Sequence, residues 1–110
     1  MQLNLLIFKK NAMKTTIENY NGEKFELNDL HFRHSHRGYG QWHILCELYF
    51  EGQKRTFREH TTDSQFFDSI SDMKADDATH EEIQQAYFNA YFDNIKEIIL
   101  EWVEEVKEGK

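Results

Sequence analysis

The chain has no proline, one cysteine and only five glycines among its 110 residues. Without proline there are no polyproline linkers or proline-rich recognition segments. A lone cysteine excludes an intramolecular disulfide framework and any multi-cysteine zinc site. Cys46 lies in "WHILCELYF" among apolar neighbours, the setting of a small buried hydrophobe. A reactive thiol needs a cationic, partly exposed environment. Long hydrophobic runs are also missing. The N-terminal "LNLLIF" is far too short to span a bilayer, and Lys9-Lys10 follow it rather than precede it, the reverse of a secretory signal. A cytoplasmic, membrane-free protein is the expectation.

Catalytic signatures are lacking too. There is no G-x-S-x-G, no H-E-x-x-H, no P-loop and no glycine-rich dinucleotide fingerprint. The expectation is a non-enzymatic chain with no cofactor and no resident metal.

What is present favours one packed domain. Apolar residues make up 39% and aromatics 15%, enough to build a core in a chain of this length. Residues 1–110 read as a single α+β domain, with 1–12 as an extra strand or a flexible extension. In "TTIENYNGEKFEL" the pair Asn21-Gly22 predicts a type I′ turn joining strands over about 14–20 and 23–27. Asn28-Asp29-Leu30 reads as a short link. Residues 42–50 alternate with period two, placing Trp42, Ile44, Cys46, Leu48 and Phe50 on one face. A two-residue turn at Glu51-Gly52 would then set Phe50 opposite Gln53 and Cys46 opposite Phe57. The result is an antiparallel meander of four strands, or five with residues 3–8.

After residue 62 the period changes. Thr62 or Asp63 is a candidate N-cap for a short helix over 63–72 carrying Phe66, Phe67 and Ile70. Thr79 and Glu82 form a capping box ahead of an uninterrupted helical pattern from 80 to 107. This helix carries one stripe through Ile83, Tyr87, Tyr91, Ile95, Ile98 and Trp102. A second set, Phe88, Phe92, Ile99 and Val103, widens the apolar face beyond what one sheet is expected to cover. A two-fold contact with a second copy through Phe88, Phe92, Ile99 and Trp102 would bury the surplus, so a homodimer is expected.

Charge is segregated along the sequence. Residues 1–62 hold nine Lys/Arg against seven Asp/Glu, and residues 63–110 hold four against thirteen, which accounts for the net charge of −7. Glu101, Glu104 and Glu105 stand near the C-terminal end of the long helix, against its dipole. That placement suggests an acidic surface for a basic partner, as in a small acidic inhibitor or accessory protein.

The segment "HFRHSHRGYGQWH" (31–43) holds four of the six histidines. Register decides what they can do. A two-residue turn at Gly38-Tyr39 would pair His34 with His43, bringing histidines together and leaving Phe32 in solvent. A loop of odd length would pair His34 with Ile44 and turn Phe32 inward, separating His34 and His36 from His43 and His60. The second register places the apolar residue better. It leaves Arg33, Arg37 and Tyr39 as an exposed cationic edge. The preferred reading is therefore a protein-binding module using that edge and the helix residues named above. The alternative is a single-stranded nucleic-acid binder using cations and aromatics on the hairpin side of the sheet.

Overall fold

The computed structural model describes residues 13–109; the expectations for an extra strand or extension over 1–12 lie outside them. Four strands, β1 (Met13–Glu18), β2 (Lys24–Gly38), β3 (Gln41–Phe50) and β4 (Gln53–Thr61), form an antiparallel meander in the order β1-β2-β3-β4. Two helices follow, α1 (Ser64–Ala75) and α2 (His80–Lys107), both on the same face of the sheet. The result is a two-layer α+β slab of 44 × 43 × 22 Å.

Turn chemistry sets the register. Glu51 and Gly52 both have positive φ (49° and 80°), the signature of a type I′ turn, and Phe50 faces Gln53 while Cys46 faces Phe57. Between β2 and β3 the turn is Tyr39-Gly40, again with both φ positive and closed by Gly38 opposite Gln41. A bulge between His36 and Gly38 then shifts the pairing, so that His34 faces Ile44 and Phe32 faces Cys46. The bulge supplies the odd offset that a longer loop was expected to supply.

Two expectations for the first hairpin are corrected. Asn21-Gly22 does not form a type I′ turn, because only Gly22 has positive φ. Instead the Gly22 amide donates to the Asn19 carbonyl (3.1 Å) and the Asn19 side chain accepts from the Asn21 and Glu23 amides (2.9 Å each). The side chain of Asn19 thus organises the loop, and the strands stop at Glu18 and Lys24. Nor is Asn28-Asp29-Leu30 a link: β2 runs through it. Asp29 takes a left-handed conformation (φ 54°), and the register shifts there against both neighbouring strands. This bulge allows Leu27, Leu30 and Phe32 all to face the core.

In α1 the N-cap is Asp63, whose side chain accepts from the Phe66 amide, and the helix reaches Ala75, one turn beyond the expected end. In α2 the Thr79–Glu82 capping box forms in both directions, at 2.8 and 3.1 Å. At 1.5 Å per residue its 28 residues extend about 42 Å, the full breadth of the slab. The core lies between the layers, from Trp42 stacked on Phe67 at one end (4.2 Å) to Trp102 edge-on to Phe57 and Phe50 at the other.

Two polar side chains are buried among the described residues, Asn19 in the first loop and Gln84 between the layers. Gln84 of α2, 5% exposed, accepts from the Phe32 amide (2.7 Å) and donates to the Phe32 carbonyl (2.9 Å). Among the described residues the last β1 pairing with β2 is Met13 with Leu30. Beyond it, the Gln84 amide group does for Phe32 what a neighbouring strand would do.

Candidate functional site

Alternation along the strands fixes what the outer face of the sheet presents. Across β2, β3 and β4 its rows are Asn28–Tyr49–Lys54, His31–Glu47–Thr56, Arg33–Leu45–Arg58 and Ser35–His43–His60. Leu45 sits at the centre on the side away from the helices, yet it is only 7% exposed. Its cross-strand neighbours are two arginines, whose aliphatic stems can lie along it while their guanidinium groups stay in water. Glu47 is the one carboxylate in these rows, and Lys54 pairs with it at 3.7 Å. Arg33, Arg37 and Arg58 have no carboxylate partner within ion-pairing distance among the described residues. His43, edge-on to His60 (5.5 Å), is held below the ordinary imidazole pKa by partial desolvation, then by Arg37, Arg58 and His60. The local field is therefore positive although the chain as a whole is negative.

The structure splits the expected binding residues between opposite sides of the slab. Arg33 and Arg37 are exposed on the sheet side, and Tyr39 stands fully exposed at the hairpin tip. Phe92, Ile99 and Trp102 are buried (5%, 0% and 7% exposed), and Phe88 is half-buried, stacked on Phe92 at 4.5 Å. The sheet, as broad as α2 is long, covers them within one chain. The expected apolar surplus for a helix-to-helix dimer is thus not on the surface. Glu101 and Glu105 line a groove with Arg55 and Arg58, and Glu104 accepts a hydrogen bond from the Asn19 side chain (3.4 Å).

The histidines divide into three settings. His31 stacks parallel to His80 at 5.7 Å, His34 and His36 pack against Trp42, and His43 meets His60. Among the described residues no three His, Cys, Asp or Glu side chains gather closely enough to hold a metal ion. His31, Arg33, His34, Lys74, His80 and Tyr87 line a cleft of about 340 Å³ at the edge of β2. Burial lowers the pKa of both His31 and His34, helped by His80 and by Lys74 respectively. The Tyr87 hydroxyl, pushed up to about 12 by burial, is hydrogen-bonded to His34 Nδ1. The cleft is cationic at its rim and neutral inside.

Sequence reasoning passed over Leu45 as a site residue. The available signal was an apolar side chain at an odd position of β3, among residues that alternate toward solvent. No helix among the described residues is long and apolar enough to cross a membrane. Neither a protein-family model, nor a curated protein, nor a solved structure matches the chain.

Proposed function

We propose that the chain is a non-enzymatic protein-binding module whose working surface is the outer face of the sheet, and that its partner presents a carboxylate-rich patch. The observation that supports this most is the row Arg33–Leu45–Arg58: an apolar centre flanked by two arginines that have no carboxylate partner among the described residues, with Tyr49 and His43 beside it. Arginine and tyrosine around a desolvated centre is the composition of protein interfaces, with the charges giving orientation and association rate. The preference over nucleic acid rests on the aromatics. Phe32 and Trp42 pack into or against the core, which leaves only Tyr39 and Tyr49 of the hairpin aromatics for stacking, and the acidic helical layer repels a polyanion.

The test is affinity capture from nuclease-treated and untreated extracts of the source cells, with three baits. These are the native chain, Arg33→Glu/Arg58→Glu on the sheet face, and Glu101→Lys/Glu105→Lys on the helix. The expected result is a protein retained by the native and helix-variant baits, lost from the sheet variant and indifferent to nuclease. Capture that disappears with nuclease treatment would assign the face to nucleic acid. Retention by the sheet variant would show that the wrong surface has been chosen.

A further inference from the structure

β4 is the last strand of the sheet, and among the described residues it pairs with β3 alone. Its free edge is nine residues long with no bulge in its pairing to β3 and no proline. Alongside it runs a groove of about 330 Å³ between β4 and α2, lined by Arg55, Phe57, Arg58, Ile98, Glu101 and Trp102 among others. Ile98, 44% exposed, is the one large aliphatic side chain left exposed among the described residues, and it lies in this groove. Unpaired edges of this length normally template further pairing unless charge, proline or a bulge prevents it. Among the described residues, charge is what stands against it: Lys54, Arg55 and Arg58.

The arrangement of those charges is self-complementary in one register. The two-residue turn makes Phe50 and Gln53 a hydrogen-bonded pair, so the odd residues of β4 point their amides at β3 and the even ones point outward. Antiparallel pairing of two β4 strands about a two-fold axis keeps side chains of one face together only when the paired numbers have the same parity. An axis at Thr56 sets Lys54 against Arg58 of the second copy; one at Arg55 or Arg58 sets arginine against arginine. An axis at Phe57 pairs the whole strand, Gln53 with Thr61. It sets Arg55 opposite Glu59 of the second copy, twice by symmetry, and brings no like charges face to face.

We propose that β4 pairs with β4 of a second copy about an axis through Phe57, joining two four-stranded sheets into one of eight and closing the groove over Ile98 and Trp102. This is independent of the partner assigned to the sheet face. The test is the full chain's mass by size-exclusion chromatography with light scattering, from low to high micromolar concentration. A dimer fraction that rises with concentration is expected. Thr56→Pro removes an outward-pointing donor without touching the β3 ladder, and it should leave a folded monomer by circular dichroism. Arg55→Glu and Glu59→Arg should each weaken the dimer about tenfold by placing like charges opposite one another. Combining them should restore it. Within one chain these residues are four apart on a strand and do not face each other, so rescue reports the intermolecular register.

A native chain that stays monomeric throughout would overturn the proposal. So would a dimer that survives Thr56→Pro, or single charge variants that the double variant fails to rescue. Dimers that appear only after deletion of residues 1–12 would assign the edge to the chain's own N-terminal segment instead.

Discussion

Replacing Gln84 tests most directly how the two layers are joined. The amide group satisfies both backbone groups of Phe32, at 2.7 and 2.9 Å, from a side chain that is itself buried. Gln84→Ala removes two hydrogen bonds and leaves a buried N–H and C=O without partners. Unsatisfied buried groups cost about 1–3 kcal/mol each, so the expected loss for the two is on the order of 2–6 kcal/mol. That is a large part of the ~5–15 kcal/mol available to a domain. At about 4 °C per kcal/mol for a chain of this length, the melting temperature should fall by about 8–24 °C. Gln84→Leu fills the space but not the bonds, and should lose nearly as much. Gln84→Glu is the sharpest variant. One carboxylate oxygen can still accept from the Phe32 amide, but the other faces a carbonyl oxygen, which raises the folded-state pKa of the introduced carboxyl. A group whose charged form is disfavoured in the folded state binds its proton there first. The deficit relative to the native chain should therefore be largest at neutral pH and shrink as pH falls toward the ordinary carboxyl value of about 4.3. Thermal melts of all four proteins between pH 7.5 and 4.5 read these effects. A loss under about 1 kcal/mol for Gln84→Ala, or a Glu variant whose deficit ignores pH, would refute the reasoning.

Other outcomes follow from single sites. Burial lowers the pKa of His31 and His34 from the ordinary 6.5, so the unfolded chain takes up these protons first. Stability should be at its full value above pH 6.5 and decline as pH falls below it. Melts of His34→Gln should show a shallower decline, and an unchanged slope would remove His34 from the account. Cys46 is fully buried, and its thiol is pushed up to about 12. It should resist a colourimetric thiol reagent until denaturant is added, and prompt labelling of the folded chain would contradict its placement. Thr79→Ala breaks the capping box and should cost about 1 kcal/mol in denaturant titrations. Glu82→Gln, which can still accept from the Thr79 amide, should cost less.

Much of the fold could be read from local chemistry, because several elements are specified by their own residues. Glu51-Gly52 lies between two alternating strands and fixes the β3–β4 register outright. The capping box starts α2 at His80, and nothing interrupts the pattern before Gly109. The unread features depend on distant parts of the chain. Asp29 looks like any polar turn residue. Its left-handed backbone is demanded by Leu27 and Leu30, which must face the same core from three residues apart. Asn21-Gly22 carries a turn signal, but the Asn19 side chain offers competing hydrogen bonds and gives a longer loop. Gln84 and Gln85 are indistinguishable as letters, and only the packing of α2 beside Phe32 gives one of them a buried task. The wide apolar face of α2 could be counted from sequence. Whether a sheet or a second copy covers it could not, since that depends on how broad the sheet becomes once β2 runs unbroken for fifteen residues. At the candidate site, Arg33 and Arg37 were legible as exposed cations, whereas the shielding of Leu45 depends on pairing across three strands.

The separation of charge between the two layers gives the molecule a permanent electric dipole along its thin direction, positive at the sheet and negative at the helices. Side-by-side pairing through β4 keeps both dipoles parallel, so they add rather than cancel. At low ionic strength such a slab would be oriented by any charged surface it approaches. A protein with an isoelectric point near 5.3 would be held helix-first by an anion exchanger above that pH. Which side it offers to another molecule would be set before contact, by a field acting over about a Debye length, ~10 Å at moderate salt.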